Sequence, residues 1–211
     1  LARWADAGGP VEAWLAKQDH RPPLWIRTAD PAVAAELRAG GFDVAGEGPA
    51  YRLAGPGDAR LTRAYREGRF EIQDLGSQRL GHLGVVGRGD RVWDVCAGRG
   101  GKTVQLAARL GGRGVVWATD PDERKLEELR KRVKRAGLAD VVRIRAWDGV
   151  TPPAFGPEVR RGFRLVFVDA PCSASGTWRR NPDARLRTDP ADVPGFAALQ
   201  RRLLALARGA L

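Results

Sequence analysis

The sequence predicts an α/β protein in which a doubly wound parallel sheet follows a small α+β unit. From about residue 90 onward, strand-like runs alternate with amphipathic helical segments, which is the order typical of a parallel sheet. The strand-like runs are short and apolar, as expected of strands that are buried on both faces. Before that point the alternation is irregular, and we predict a separate unit over residues 1–58 and a second domain over residues 59–211.

The first unit combines two helices with strands. Arg21-Pro-Pro breaks the first helix, and Gly40-Gly41 ends the second because glycine favours the left-handed conformation found at helix ends. A further strand and a connecting helix lead into the second domain. In chain order we predict a helix over residues 1–19, a strand over 24–28, a helix over 31–39, strands over 50–54 and 70–74, and a helix over 76–86.

The second domain contains four strand signals that alternate with helices. The helix after the second strand is the best marked, because Pro121 suits a first turn and Asp122 and Glu123 lie at the positive end of the helix dipole. Gly137 follows its last turn. We predict strands over residues 91–96, 114–120, 141–145 and 164–168, and helices over 102–110, 121–135 and 196–207.

Composition limits the class of protein and its partners. The 211 residues carry 36 Lys and Arg against 25 Asp and Glu, and the net charge of +11 favours a polyanionic partner, nucleic acid foremost. No apolar run approaches the roughly 18 residues of a membrane span, and no signal peptide is visible. Two cysteines supply neither a disulfide framework nor a four-cysteine zinc site. We expect a cytoplasmic monomer without a metal ion or a membrane partner.

A glycine-rich segment, Gly98-Arg-Gly100-Gly101-Lys-Thr, follows the first strand of the second domain. Glycines at a helix start let backbone N–H groups approach a ligand closely. The segment is not a P-loop, because that motif requires glycine where this chain has Cys96. It also departs from the dinucleotide fingerprint G-x-G-x-x-G, since the third glycine is missing. The segment therefore indicates a nucleotide-like ligand without identifying it.

An acidic residue lies at or just after the end of each of the three strands that follow. Asp120 ends the second strand, where a carboxylate can accept both hydroxyls of a ribose. Asp148 follows the third strand and could receive an adenine amino group, and Asp169 ends the fourth. Because the carboxyl ends of parallel strands meet at one edge of the sheet, we expect these carboxylates and the glycine segment to bind one adenosine-bearing molecule.

The segment after the fourth strand is the most informative of the chain. It delivers a carboxylate and a thiol to the ligand-binding edge, beside arginines that could favour the thiolate. The alternative is a turn that contains proline and a buried, inert cysteine, since free cysteine is often a core residue. The segment reads Asp169-Ala-Pro-Cys172-Ser-Ala-Ser-Gly176-Thr-Trp178-Arg179-Arg180-Asn-Pro-Asp183.

Three segments together resemble the RNA cytosine-5 methyltransferases of the RsmB/NSUN type. They are Asp94-x-Cys-Ala-x-x-Gly-Gly-Lys-Thr103, Asp120 with its Arg124-Lys-Leu-x-x-Leu helix, and the segment Asp169–Asp183. Gln73-Asp74-x-x-Ser77-Gln78 is also similar to that family. The resemblance extends from about residue 20 to the end of the chain. It implies a Rossmann-like class I methyltransferase sheet with a small RRM-like α+β unit before it.

The resemblance also implies S-adenosylmethionine as methyl donor and ribosomal or transfer RNA as substrate. Where the family usually has Ala-Pro, this chain has Gly98-Arg99. Glycine preserves the close approach, but Arg99 adds a positive charge near a sulfonium, so we expect its side chain to point away. The residues that the resemblance places at the cofactor are Cys96, Ala97, Gly98, Arg99, Gly100, Gly101, Lys102, Asp120, Asp148 and Asp169.

The implied chemistry needs a thiol and an acid. Carbon-5 of cytosine becomes nucleophilic once a thiolate has added to carbon-6, which is covalent catalysis. Asp169 would hydrogen-bond or protonate N3 of the ring, and Cys172 is the thiol that the segment carries. The base has to leave its stack to reach such a pocket. Arg179 and Arg180 could hold RNA phosphates, and Trp178 could stack on a base or pack in the protein.

The sequence does not identify the thiol that attacks carbon-6 of cytosine. In the family, the Pro-Cys thiol that Cys172 resembles assists product release, and the nucleophile lies in a Thr-Cys segment after a fifth strand. No such segment precedes Leu211, and the chain starts at Leu1 without any methionine, so we expect a piece of a longer product whose sheet lacks its last strands. Alternatively, Cys172 is itself the nucleophile, or the chain is a catalytically inactive RNA-binding relative.

Overall fold

The computed structural model of the chain describes residues 10, 12, 13, 16, 20–55, 57–151 and 153–211. These residues form two compact units. The larger unit is Leu24–Ala170 together with Gln200–Leu211, and the smaller unit combines Pro171–Leu199 with the described residues before Leu24. The helix predicted over residues 1–19 lies largely outside the described residues.

The first elements of the larger unit build an antiparallel sheet. They are β1 (Leu24–Arg27), α1 (Pro31–Ala39), β2 (Asp43–Glu47), β3 (Ala50–Ala54), α2 (Arg63–Arg66), β4 (Glu71–Ile72) and α3 (Leu75–Leu83). The strand order is β2-β3-β1-β4. Helix α1 begins at Pro31 as predicted, and the structure shows Asp30 as its N-cap. Ile26, Leu37 and Phe70 are buried in the core of this sheet.

Strand β2 is missing from the sequence-based prediction. Gly46, Gly48 and Pro49 are typical of a turn, and this pattern gives no indication that Asp43–Glu47 is a strand of a hairpin with β3. Gly46 has a φ of 115°, and a Cβ at this position would lie 2.7 Å from the carbonyl oxygen of Ala50, so the pairing of β2 with β3 requires glycine. Strand β4, which lies beyond residue 58, pairs with β1 and belongs to this sheet. The division of the chain at residue 58 stays a prediction.

The predicted parallel sheet is confirmed. Its elements are β5 (Arg91–Asp94), α4 (Gly101–Arg109), β6 (Val115–Asp120), α5 (Glu123–Arg135), β7 (Val142–Ala146) and β8 (Leu165–Phe167), followed by α6 (Pro182–Arg187) and α7 (Val193–Arg208). The order is β7-β6-β5-β8 with parallel pairings throughout. The chain therefore reverses its direction of strand addition at β5, and sheets of this kind bind ligands beside the carboxyl ends of the strands at such a switch point. In the described ranges, no helix has the length and apolar character to cross a membrane.

The two faces of the parallel sheet pack differently. Helices α4 and α5 cover one face through a fully buried core to which Leu106, Leu126 and Leu129 belong. Because side chains alternate along a strand, Trp93 of β5 points to the other face. Its ring lies 5.0 Å from that of Phe155 and 5.3 Å from that of Trp147. Each large side chain buried in this way contributes about 1.5–3 kcal/mol, so the strand ends are held firmly in place.

Buried polar contacts join the antiparallel sheet to the helices of the parallel sheet. Glu71 of β4 is 4 % exposed and lies 3.2 Å from Arg132 and 2.5 Å from Arg135 of α5. Gln73 Nε2 donates to Oε1 of Gln105 in α4 at 2.9 Å. Because it is costly to leave a buried charge or amide without its partner, these contacts hold the two sheets in one unit.

Candidate active site

The carboxyl edge of the parallel sheet collects acidic side chains. β5 ends at Asp94 and β6 ends at Asp120. Asp148 and Asp169 follow the ends of β7 and β8 by two residues. The register of the sheet pairs the last residue of β5 with that of β8, and the last residue of β6 with that of β7. The four carboxylates therefore lie along one edge, on both sides of the switch point.

A glycine loop, residues 95–100, connects β5 to α4 at this edge. Gly98 has a φ of 54° and Gly100 a φ of 83°, conformations that favour glycine. A Cβ at Gly100 would collide with the side chain of Leu129, whereas a Cβ at Gly98 would meet no atom within 4 Å. Packing thus requires Gly100 to be glycine, and open space lies against the backbone of Gly98, where a ligand can approach.

Thr103 stands where the dinucleotide fingerprint has its third glycine. It is fully buried, and its hydroxyl donates to Asp94 Oδ2 at 2.7 Å. This hydrogen bond ties the end of β5 to the first turn of α4, so the glycine loop is held at both ends. Sequence reasoning missed the pair, although the threonine in place of the fingerprint glycine was an available signal.

Asp120 joins the glycine loop to the start of α5. Its Oδ2 accepts the N–H of Gly98 at 3.0 Å, and its Oδ1 accepts the N–H of Asp122, the N-cap of α5, at 3.0 Å. A carboxylate oxygen has two acceptor lone pairs, so each oxygen keeps one for a ligand. Two neighbouring hydroxyl groups, such as those of a ribose, match this remaining capacity.

Lys102 and Asp169 form an ion pair across the switch point. Lys102 Nζ lies 2.7 Å from Asp169 Oδ2, and the side chains are 18 % and 44 % exposed. A ligand can therefore reach the pair at the carboxylate of Asp169. An ammonium has three donors and a carboxylate has two acceptor oxygens, so both partners keep hydrogen-bonding capacity for a ligand.

Asp94 is a buried acid beneath the glycine loop. Its side chain is 1 % exposed, and burial raises its pKa to about 7, although the hydrogen bond from Thr103 and the charge of Lys102 favour the ionised form. The charges of Asp169 and Asp120 raise this pKa further. Asp94 therefore changes its protonation state near neutral pH.

Asp94→Asn is expected to make the stability of the protein less dependent on pH. The folded pKa of about 7 exceeds the unfolded value of 3.8, so the folded protein binds more protons and loses stability as the pH rises from about 4 to about 7. Asparagine removes this loss. As the pH rises from about 5 to about 8, the free energy of unfolding of the variant should increase by about 3 kcal/mol relative to that of the native protein. Urea unfolding measures this difference. The control is Asp140→Asn, at an exposed position, and its free energy of unfolding should depend on pH as that of the native protein does. The same pH dependence in Asp94→Asn would contradict the account.

The cysteine of the glycine loop lies in surroundings that favour its neutral thiol form. Burial raises the pKa of the Cys96 thiol to about 12, and the charges of Asp94, Asp120 and Asp169 add to the rise. Cys96 is therefore a neutral thiol at physiological pH, and a neutral thiol is a poor nucleophile.

Cys172 belongs to the smaller unit and is exposed. The alternative interpretation is therefore wrong in expecting this cysteine to be buried. Its Sγ accepts the N–H of Ala174 at 3.4 Å. Ala174 has a φ of 54°, and no other non-glycine residue in the described part of the chain has a positive φ. Such backbone strain concentrates at functional segments.

The predicted RNA-binding residues also lie in the smaller unit. Arg179 Nε donates to the carbonyl oxygen of His20 at 3.2 Å, so its guanidinium is partly engaged. Arg180 is exposed, and Trp178 is partly buried. Their assignment to RNA stays a prediction.

The residues that the sequence assigns to a cofactor share the carboxyl edge of the larger unit. Arg99 is exposed there, and Asp148 is exposed with its Oδ1 accepting the N–H of Val150 at 2.9 Å. Over the residues that the structure describes, no three His, Cys, Asp or Glu side chains are grouped so that they could hold a metal ion. The set at this edge is Cys96, Ala97, Gly98, Arg99, Gly100, Gly101, Lys102, Asp120, Asp148 and Asp169.

Comparison with known proteins finds similar sequences. Residues 86–210 match a family described as 16S rRNA methyltransferase RsmB/F. The chain is 31 % identical over 203 residues to the ribosomal RNA small subunit methyltransferase B of Enterobacter sp. (strain 638), covering 92 % of this chain and 46 % of that protein. It is 34 % identical over 172 residues to a probable ribosomal RNA small subunit methyltransferase B of Synechocystis sp., covering 81 % and 38 %.

Comparison with solved structures finds a similar fold. The structure of PH0851 matches with a TM-score of 0.84 and 28 % identity, over 93 % of this chain and 46 % of that one. The chain spans about half the length of the curated relatives it matches.

Proposed function

This chain belongs to the RsmB/F family of 16S rRNA methyltransferases, and on this premise we propose that the protein methylates carbon-5 of cytosine in RNA. Small-subunit ribosomal RNA is the favoured substrate, because similar proteins carry that name. Transfer RNA is the other substrate that the sequence predicts. One observation carries the proposal: the glycine loop, Asp120 and the Lys102–Asp169 pair meet at the switch point of the sheet.

Membership of a methyltransferase family supports S-adenosylmethionine as the cofactor, and the residues present fit it. The open space against Gly98 admits a ligand to the loop backbone. The remaining lone pairs of Asp120 suit the two ribose hydroxyls. Asp148 is exposed at the neighbouring strand end, and we assign it to the adenine amino group. When bound, this cofactor supplies an electrophilic methyl group on sulfur.

Asp120→Ala is expected to weaken cofactor binding about 10- to 100-fold, because it removes the ribose acceptor and leaves the N–H of Gly98 without its partner. Calorimetric titration with sinefungin, an unreactive analogue of the cofactor, measures the loss. Asp140→Ala, at an exposed position outside the site, serves as the control. Unchanged affinity in Asp120→Ala would contradict the ribose assignment.

The Lys102–Asp169 pair is suited to act on the target base. As a thiolate adds to carbon-6 of cytosine, negative charge develops around N3, and we assign Asp169 to hydrogen-bond or protonate N3 at that stage, with a proton that the Lys102 ammonium supplies through the Asp169 carboxylate. The Lys102 ammonium, 2.7 Å from the Asp169 carboxylate, holds this group in place and supplies positive charge beside the ring. After methyl transfer, a base removes the proton on carbon-5 and the thiol leaves by elimination.

Cys172 is the thiol that we assign to this cycle. Cys96 is unsuited because burial raises its pKa to about 12. Two roles are open to Cys172, the nucleophile and the release residue, and we propose the release role that the family resemblance implies. That role requires an attacking thiol outside these 211 residues, since the chain has only these two cysteines.

Cys172→Ala is then expected to trap the protein on RNA, because the elimination that follows methyl transfer is blocked. The adduct should appear as a slowly migrating band on a denaturing gel after incubation of the full protein with RNA and S-adenosylmethionine. The same mixture without the cofactor is the control. If Cys172→Ala and Cys172→Ser both lose methylation and form no adduct, Cys172 is the nucleophile and the release role is wrong.

Bisulfite sequencing tests the proposed function. Unmodified small-subunit ribosomal RNA is incubated with the full protein and S-adenosylmethionine, and we expect specific cytosines to become resistant to conversion. A second candidate function is that of a catalytically inactive RNA-binding protein, which the net charge of +11 and the scarcity of thiols favour. RNA binding without any resistant cytosine would support that second candidate and overturn the first.

A further inference from the structure

Arg99 is an exposed cation that the proposed chemistry leaves without a role. It lies between Gly98 and Gly100 on the glycine loop, at the edge where the cofactor and the target base would meet. Within the described residues, its side chain takes part in no hydrogen bond or ion pair. The charge of Arg99 is therefore available to a ligand.

Two lysines at this edge are already engaged. Lys102 pairs with Asp169 at 2.7 Å. Lys125 lies 3.9 Å from Asp120, which also accepts the loop N–H of Gly98. Arg99 thus differs from Lys102 and Lys125, because no carboxylate of the described residues forms an ion pair with it.

The backbone on both sides of Arg99 is fixed. The N–H of Gly98 is held by Asp120 at 3.0 Å. Gly100 packs so closely on Leu129 that even a Cβ has no room. The loop therefore presents Arg99 from a rigid position, which lowers the entropy cost of ordering its side chain on a ligand.

The charges of the two candidate ligands differ at this position. S-adenosylmethionine carries a positive sulfonium and a positive amino group against one carboxylate, and a nearby guanidinium repels this net positive charge. RNA carries one negative charge on each backbone phosphate, and arginine binds phosphate through its fork of N–H donors. We propose that Arg99 binds a backbone phosphate of the RNA strand that carries the target base, and does not hold the cofactor. This inference rests on the proposed function, because it requires RNA at this edge.

Fluorescence anisotropy with a labelled single-stranded RNA of about 20 nucleotides that contains cytosine tests the inference. Arg99→Ala in the full protein should weaken binding about five- to tenfold at about 50 mM salt, and should lower the slope of log K against log salt by about 0.7. Arg99→Lys should retain most of the binding. Arg113→Ala is the matched control, since Arg113 is also exposed but precedes β6 at the opposite edge of the same sheet.

Sinefungin titration of the same variants separates the possible outcomes. The inference predicts an unchanged sinefungin affinity in Arg99→Ala. Equal RNA binding by Arg99→Ala and Arg113→Ala would overturn it, as would a loss of sinefungin affinity in Arg99→Ala with RNA binding intact. If the native protein binds sinefungin but no RNA, both the inference about Arg99 and the proposed function fail. Native RNA binding that is insensitive to Arg99 overturns this inference alone.

Discussion

Gly100→Ala is expected to lower the free energy of unfolding by about 2–5 kcal/mol and to abolish cofactor binding. A φ of 83° costs an alanine about 1–2 kcal/mol. The added Cβ would also collide with the Cδ1 of Leu129 and approach its Cγ at 3.1 Å. Leu129 is fully buried, so it cannot move aside without disturbing the core, and overpacking of this kind costs about 1–3 kcal/mol.

Gly101→Ala is the matched control for this variant. Gly101 is the first residue of α4, and a Cβ there would lie 3.3 Å from Nη1 of Arg132, the flexible end of a long side chain. Alanine in a helix reduces the entropy of the unfolded chain, so this variant should keep the native stability or gain up to about 1 kcal/mol. Urea unfolding of both variants measures the effect on stability, for which Gly101→Ala is the control, and sinefungin titration of Gly100→Ala against the native protein measures the loss of cofactor binding. Equal behaviour of the two variants would show that the loop does not depend on the conformation of Gly100.

Asp169→Asn is expected to lower the rate of methyl transfer about 100- to 10,000-fold. Asparagine preserves the shape of the side chain, but under the proposed mechanism it cannot pass a proton from Lys102 to N3 of cytosine, and it no longer balances the charge of Lys102. The native ion pair is 2.7 Å long and only partly exposed, so its loss changes the charge at the base directly. Single-turnover transfer of a radiolabelled methyl group to ribosomal RNA measures the effect.

Asp148→Asn should show the opposite kinetic pattern. Asp148 is exposed at the end of the strand farther from the switch point, and we assign it to the adenine ring. Its replacement should raise KM for the cofactor about tenfold while kcat changes little. If Asp169→Asn also changes only KM, then Asp169 binds the cofactor and takes no part in the chemistry at the base.

The parallel sheet and the acidic residues at its carboxyl edge could be predicted because the local signals agree with the tertiary structure. The apolar runs at β5 and β6 are buried, and helix α5 has the expected acidic start and basic last turn. Pro121 does not occupy the first turn as predicted, because the helix begins at Glu123 with Asp122 as its N-cap. Asp120 and Asp169 lie where the ends of the strands predict, because parallel strands bring their carboxyl ends to one edge.

Features that depend on long-range contacts could not be predicted in the same way. The hairpin of β2 and β3 was hidden because Gly46 forms it only through close contact with Ala50. The hydrogen bond between Thr103 and Asp94 joins residues nine positions apart and shows only once the loop between them is folded. The predicted cytoplasmic location and monomeric state stay predictions.

Mapping the sinefungin site by amide chemical shifts tests the central claim most directly. The claim is that the glycine loop and the acidic strand ends form one cofactor site. We predict that the largest shifts occur at Gly98, Gly100, Gly101 and the residues that follow Asp120. Another possible site for sinefungin is a groove of about 660 Å³ beside Phe155 and Gly162, on the face of the parallel sheet to which Trp93 points. Shifts confined to that groove, with the glycine loop unchanged, would contradict the claim.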